Sequence, residues 1–498
     1  MKRLVGITHP FLIVVFISAL YLRTLAPGLT WAYDGADGGD LLAALATGGV
    51  PHPGGYPTYL LFASLLTKLP LGSLALRGNL FSCLCMLLAI LVLYKLILEM
   101  TSSTYVASLS ALLFGCFPLV WSQALITEVY ALQTLLSLFV LFFMLPERNS
   151  PWQGFAGGLF LGLAIGNHMT ALFLLPFLLL MNVRKTVPNS RAYLKFYFRL
   201  LAARLPGLLL GLGTFLIIPL RARNQAPVNW GNPVNWNGFW WLTSGAMYHG
   251  RLSVFSVGYL LTSLRLWSQF LLDQMSIIGL SIAVVYIVVF FRPIRLHIAT
   301  LYLMLVYSLF AILYFSPDSY IYLILPLFAF AIWIALGCKY LLEKIETFRL
   351  ERSETQLKDR FTSTFRELFI FASFALIVAR TIWAFPEIDI STDHAAEQYA
   401  QTVLESLPER AIVIAYGDEA LFSLWYFHYA LDQRSDVAVI SDALLVQPWY
   451  HTVLKGTYPG LNVPDSPWSQ DFAVLNPERL VCILDRDLQP QFECLRQN

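Results

Sequence analysis

The sequence predicts an α-helical polytopic membrane protein, with about eleven transmembrane helices and a small C-terminal α/β extracytoplasmic domain. Three observations predict it. Of 498 residues, 57% are hydrophobic and 13% charged, about half the charged share of a soluble domain. Apolar stretches long enough to cross a bilayer recur along most of the chain. Lys and Arg gather at alternate turns between those stretches. The net charge of +2 and the lack of a basic stripe give no sign of nucleic acid as a partner.

The apolar stretches cover roughly 8–26, 78–98, 104–122, 127–145, 153–166, 168–183, 205–220, 275–291, 297–315, 319–340 and 367–385. The first is read as an uncleaved helix, because Arg23 and the lack of a small-x-small site argue against a signal peptide. Two stretches are short, and Asn167-His168 separates them. Charge decides whether they are one span or two. With the N-terminus inside, Lys2, Arg3, Arg148, Arg184, Lys185, Arg199, Arg204, Arg292, Arg295 and a basic run in 341–366 all fall on the cytoplasmic side. Lys68, Arg77, Arg221, Arg223, Arg251 and Arg265 are the few on the other. Merging the pair would invert everything downstream, so two spans are expected.

That count makes 1–385 a transmembrane domain and 386–498 an extracytoplasmic one. Within the tail, Ala395 to Leu407 and Leu421 to Ala430 look helical. Ala411 to Ala415 and Asp436 to Ile440 look like strands, so strand and helix alternate. Of six cysteines, Cys83, Cys85, Cys116 and Cys338 fall in apolar stretches and read as packing residues. Cys482 and Cys494 are candidates for a disulfide in the tail. No CxxC or His/Cys zinc spacing is present. Two outer loops are long. Residues 27–77 carry expected short surface helices at 40–48 and 56–70, and residues 221–274 hold a loop dense in Gly, Pro, Asn and Trp.

Polar residues converge on the outer side. The first loop reads Trp31-Ala-Tyr-Asp34-Gly-Ala-Asp37-Gly-Gly-Asp40. Its glycines suit a tight turn, and Asp40 suits a cap for a helix starting at Leu41. Val50-Pro-His52-Pro-Gly-Gly-Tyr56-Pro57 follows, with a histidine that titrates near neutral pH. Glu128 and Tyr130, Asn167 and His168, Arg221 and Arg223, Trp230 and Asp318 map to the same side. Each alone has a structural reading as a turn, cap or snorkelling residue. Snorkelling residues would spread over both faces, and these do not.

The set suits one chemistry. A lipid-phosphate sugar in the outer leaflet needs cations for its phosphate, which Arg221 and Arg223 would supply. An acceptor hydroxyl needs a base, either Asp37 or Asp40. Asp34, His52, Tyr56, Glu128, Tyr130, Asn167, His168, Trp230 and Asp318 would shape the sugar and acceptor site. A divalent metal, Mg or Mn, stays open: aspartates bind such ions through oxygen, while two arginines beside a phosphate serve without one.

Together these motifs resemble the family of the transmembrane protein O-mannosyltransferase that modifies plexin-type receptors, and its bacterial relatives. The matching pieces are Asp37-Gly-Gly-Asp40, Val50 to Pro57, Thr127-Glu-Val-Tyr-Ala131, Gly166-Asn-His-Met-Thr170, Pro219 to Arg223, Asn229-Trp-Gly231 and Asp318 to Tyr322. Leu407 to Ala411, Gly417-Asp418 and Trp425-Tyr426 also fit. The resemblance implies a GT-C-like membrane fold, a polyprenyl-phosphate donor and an acidic catalytic residue in the first outer loop. The family often has Asp-Ser-Gly-Glu where this chain has Asp37-Gly-Gly-Asp40, so Asp37 keeps the match. It implies an inverting transfer of a sugar, mannose in the family, to a protein or glycan hydroxyl on the extracytoplasmic face. It also points to a bacterial inner membrane with a cytoplasmic N-terminus. A transporter or flippase of lipid-linked sugars is the rival reading. It calls for mid-span polar residues and paired broken helices, whereas the polar residues here are mostly interfacial and unrepeated.

Overall fold

The computed structural model describes residues 2–146, 150–179, 190–252, 256–292, 294–350, 357–466 and 468–495. Arg148, Arg184, Lys185 and the end of the 168–183 stretch lie outside them. In chain order the helices are α1 (Lys2–Thr24), α2 (Asp37–Thr47), α3 (Pro57–Thr67), α4 (Leu74–Thr101), α5 (Thr104–Cys116), α6 (Pro118–Ser122), α7 (Tyr130–Met144) and α8 (Pro151–Asn167). There follow α9 (Ser190–Leu212), α10 (Ile217–Ala222), α11 (Trp236–Thr243), α12 (Val257–Phe290), α13 (Arg295–Leu313), α14 (Ile324–Leu350) and α15 (Leu357–Ile388). Beyond these come α16 (Ala395–Ser406), α17 (Asp418–Trp425), α18 (Pro448–Thr457) and α19 (Asp471–Leu475). Among the described residues, every apolar stretch of the sequence coincides largely with helix. Among the described residues, six helices are long and apolar enough to cross a membrane, and four shorter apolar helices accompany them.

The break at His168 is real. Its backbone is extended, with φ −157° and ψ 135°, and a 3-10 segment, Met169–Leu178, follows. On either side of it, α8 and α9 pack in parallel. A Cβ on Gly158 would meet Arg204 O at 2.0 Å, one on Gly162 would meet Leu208 O at 2.4 Å, and one on Gly166 would meet Thr214 Oγ1 at 2.4 Å. Both numbers climb together, and the 3-10 segment Met169–Leu178 between them runs back the other way, its end meeting Arg204. The small-residue face lets the two backbones touch, as in membrane helix pairs generally. Arg204, assigned by charge to a cytoplasmic turn, is buried instead. Its Nη1 donates to Phe177 O at 3.0 Å and Leu178 O at 2.5 Å, closing the carbonyl end of the 3-10 segment.

The second long loop is shorter than expected. The α12 helix starts at Val257, not near 275, and turns sharply at Ser276 (φ 61°, ψ 167°). The carbonyls released there are met by Arg380 of α15, which donates to Gln274 O at 3.3 Å and to Asp273 O. At about 1.5 Å per residue the helix outruns the ~30 Å hydrocarbon layer.

After α15 come strands β1 (Ile412–Ala415), β2 (Ala438–Ser441), β3 (Val481–Leu484) and β4 (Phe492–Leu495), in the order β2-β1-β3-β4. The first three are parallel and β4 is antiparallel to β3. Cys482 and Cys494 face each other in that last pair and form a disulfide. The other four cysteines are free and buried.

Candidate active site

Helix α2 begins at Asp37, so Asp40 lies in its first turn and does not cap a helix starting at Leu41. Gly38 and Gly39 are helical rather than turning. Their role is close approach: a Cβ on Gly39 would stand 2.3 Å from Phe422 O of α17. Residues 50–56 then fold back over α2. Gly54 has φ +113°, a conformation costly for any other residue. The second loop is stitched to this turn, Val50 N donating to Val228 O at 2.8 Å and Trp230 N to Val50 O at 3.1 Å.

The result is a histidine held between two aspartates. Asp40 is sealed, its side chain 0% exposed. Its Oδ2 accepts the His52 backbone N–H at 2.9 Å and meets His52 Nδ1 at 2.8 Å. Its Oδ1 accepts Trp230 Nε1–H at 2.9 Å. On the other edge of the ring, His52 Nε2 meets Asp37 Oδ2 at 3.2 Å and the Tyr56 hydroxyl at 2.8 Å. Asp37 keeps 35% of its side chain exposed. Of the two carboxylates that the sequence leaves open as base, only Asp37 is accessible from outside the array. Burial pulls the His52 ring toward neutrality, but the facing Asp37 and Asp40 overcome it and carry its pKa well above the ordinary value.

Around this triad the other predicted residues sort clearly. Glu128 is buried, one oxygen accepting Val129 N–H at 3.2 Å and the other unpaired. Asn167 Nδ2 donates to Val129 O and Gln133 Oε1, both at 3.1 Å, leaving its own Oδ1 unpaired. His168 stacks on Tyr56 with centroids 6.2 Å apart, and touches Tyr130 at 5.6 Å and Tyr322 at 5.7 Å. Asp318 accepts the Ser316 hydroxyl. Asp34 sits at the edge, accepting Tyr320 O–H at 2.5 Å.

The arginine pair does not form a clamp. Arg221 Nε donates to Gly49 O at 2.6 Å and Nη2 to Ala44 O at 2.7 Å. It closes the C-terminus of α2, at the opposite end of an 11-residue helix from Asp37, about 15 Å of rise away. Arg223 is exposed and lines a separate cleft with Asn232 and Thr452. Both were expected at the phosphate because they follow one another outside an apolar stretch; helix geometry turns them apart.

Several site residues escape sequence reasoning. Phe422 of α17 stacks on His52 at 6.3 Å, and Trp230 touches Phe422 and Trp425, each at 6.1 Å. Asp418, at the head of α17, has its pKa raised to about 6 by desolvation first and Asp37 second. Tyr248 lies in the field of Asp37 and Asp418 as well as Arg251. The signal for Asp418 and Trp425 was their motif match in the tail; nothing local marked Tyr248 or Gln133. Among the described residues no group of three His, Cys, Asp or Glu is arranged for a metal ion.

This fold, an acidic loop beneath a C-terminal domain on a bundle of apolar helices, is GT-C-like. Its backbone matches ArnT of Cupriavidus metallidurans bound to undecaprenyl phosphate, with TM-score 0.61 and 13% identity, over 95% of this chain and 92% of that one. It also matches an Archaeoglobus fulgidus oligosaccharyltransferase, with TM-score 0.50 and 13% identity, over 89% and 64% of the two chains. Residues 37–191 match the protein O-mannosyl-transferase TMEM260 N-terminal domain, and residues 396–482 match TMEM260-associated domain 2. The mouse protein O-mannosyl-transferase TMEM260 is 27% identical over 489 residues, 93% of this chain and 67% of its own length. The Dictyostelium discoideum counterpart is 21% identical, over 88% of this chain and 58% of its own. The chain is thus similar to the TMEM260 protein O-mannosyl-transferases over two separate stretches.

Proposed function

We propose that this protein moves a sugar, mannose by analogy with the relatives' names, from a polyprenyl-phosphate donor to a hydroxyl of a protein or glycan acceptor. The observation that carries the reading is the Asp37–His52–Asp40 array, with one carboxylate partly exposed and the other sealed behind the ring. Asp37 orients the acceptor O–H and takes its proton as the oxygen attacks C1. The C1–O bond to phosphate breaks, and polyprenyl phosphate leaves from the opposite face, inverting the anomeric carbon. Asp40, Trp230 and the imidazolium of His52 are positioning groups: they hold Asp37 in place through charge-assisted hydrogen bonds. Glu128, Asn167, His168, Tyr56 and Tyr130 line the sugar side. Asp37 and Asp40 are both turned onto His52, so the scheme runs no step through Mg or Mn.

The site lies on the extracytoplasmic side of a bacterial cell membrane, with the N-terminus in the cytoplasm. The one-sided Lys and Arg pattern supports this orientation, as does a disulfide in the tail. The test is transfer in proteoliposomes from polyprenyl-phosphate mannose to a Ser/Thr-containing peptide, with the product anomer read by NMR. The reading predicts an acceptor-linked sugar of inverted configuration. A retained configuration, or no transfer from any polyprenyl-phosphate sugar, would overturn it.

A further inference from the structure

The second loop and the tail leave a cleft between them that the Asp37–His52–Asp40 array does not line. One wall is the loop, from Arg223 to Val234, and the other is α18, at Thr452, Val453 and Gly456. Its volume is about 270 Å³, room for roughly nine non-hydrogen atoms at the ~30 Å³ that a water molecule takes up in the liquid. That is close to one amino-acid residue. Both walls are fixed. Val50 N donates to Val228 O and Trp230 N to Val50 O, which pins the loop to the turn over α2. Trp449, on the same face of α18 as Thr452 and Val453 by helical spacing, packs on Trp230 at 5.9 Å and on Trp241 at 5.5 Å. The next residue, Tyr450, accepts Ser441 N–H on its hydroxyl at 2.9 Å. A preformed cleft loses little freedom when a ligand enters.

Its polar groups lack partners. Asn229, which lines the cleft, is 3% exposed. Its Nδ2 donates to Ala222 O at 3.1 Å and to Asn232 Oδ1 at 3.3 Å. Those two bonds fix the amide and leave its Oδ1 with no partner. A buried oxygen in that state is destabilising until a donor meets it. At the rim, Arg223, Gln225 and Thr452 are exposed, and among the described residues their side chains make no hydrogen bond or ion pair. No Asp or Glu lines the cleft, so nothing in its walls balances the Arg223 charge. The cleft therefore suits a ligand with an anion for the guanidinium and an N–H or O–H for the amide oxygen. A fully ionised phosphate ester brings acceptors alone. An aspartate or glutamate residue brings both, a planar carboxylate that matches the guanidinium fork and a backbone N–H a few bonds away.

We propose that this cleft binds an acidic residue of a polypeptide, with the carboxylate on Arg223 and Gln225 and the backbone N–H on Asn229 Oδ1. Asn229 directly precedes Trp230, whose indole holds Asp40, so the bound residue is one position along the chain from the wall of the array. The site needs no sugar donor, and it stands or falls separately from the transfer reaction.

Calorimetric titration of the full-length protein, in nanodiscs of zwitterionic lipid, with a blocked alanine peptide carrying one central aspartate tests this. The peptide has no hydroxyl, so the reaction centre has nothing to act on. Wild type binds it, and binds about 10-fold or more weakly both the peptide with asparagine in that place and the peptide methylated on the aspartate nitrogen, each of which loses one hydrogen-bonding group. Arg223→Gln weakens the aspartate peptide by a similar factor and leaves the asparagine peptide unchanged. Thr452→Trp, which fills the exposed rim, weakens both. Asp37→Asn changes neither. Equal wild-type affinity for the aspartate and asparagine peptides, or no binding of the aspartate peptide, would overturn the proposal. Binding lost in Asp37→Asn but kept in Arg223→Gln would place the peptide at the array and overturn the cleft. Acetate or inorganic phosphate binding as tightly as the peptide would make this a site for a free anion and overturn the polypeptide assignment.

Discussion

Two carboxylates three residues apart in sequence take unlike roles because one turn of helix separates their fates. Asp40 faces inward against Trp230 and the His52 backbone, and Asp37 stays partly exposed. That pairing makes stability depend on pH in a stated direction. The folded pKa of His52 is raised, so its ionic contribution is full below the unfolded value of about 6.5 and fades as pH climbs through the folded value. His52→Gln is predicted to lose on the order of 2 kcal/mol at pH 6 and distinctly less at pH 9, read by thermal unfolding at the two values. A deficit that grows with pH would contradict the charged assignment. The sequence shows these three residues as candidates but not who faces whom. That depends on where α2 starts, and Asp37 rather than Leu41 starts it because Gly38 and Gly39 continue the helix against Thr127 and Phe422.

Helix ends explain the residues that hydropathy and charge misplaced. Arg204 and Arg221 both sit at apolar-stretch boundaries, where an arginine reads as an interfacial charge. In the fold each satisfies carbonyls that a short helix leaves bare, at Phe177–Leu178 and at Ala44–Gly49. Arg221→Ala should cost about 1–3 kcal/mol of stability with polyprenyl-phosphate affinity unchanged in the folded fraction, measured by denaturation and lipid binding side by side. The α8–α9 pair sets the direction of the chain downstream. Gly158→Leu drives a side chain into Arg204 O, and its expected outcome is loss of folded protein in detergent extracts, whereas Gly213→Leu, with open space around it, should be tolerated.

At the scale of the whole molecule the tail is part of the site. Phe422 covers His52, Trp31 Nε1 donates to Ser423 Oγ at 2.8 Å, and Leu29 N–H reaches Glu397 at 3.1 Å. The helix–strand alternation of 395–441 was legible from its pattern, as was the apolar bundle. The docking of α17 on α2 was not, because an aromatic contact such as His52–Phe422, 422 − 52 = 370 residues apart, leaves no periodicity to read. Sidedness is open to direct measurement: Glu409→Cys should react with a membrane-impermeant maleimide in intact cells, and Lys344→Cys should react only after permeabilisation. Labelling of both from one side would contradict the orientation. The central claim is that Asp37 acts on the acceptor while Asp40 only holds the array. Steady-state transfer from polyprenyl-phosphate mannose by reconstituted Asp37→Asn tests it most directly. The predicted result is a fall in kcat of about 100-fold or more, with donor affinity retained; a variant that kept wild-type kcat would contradict the account.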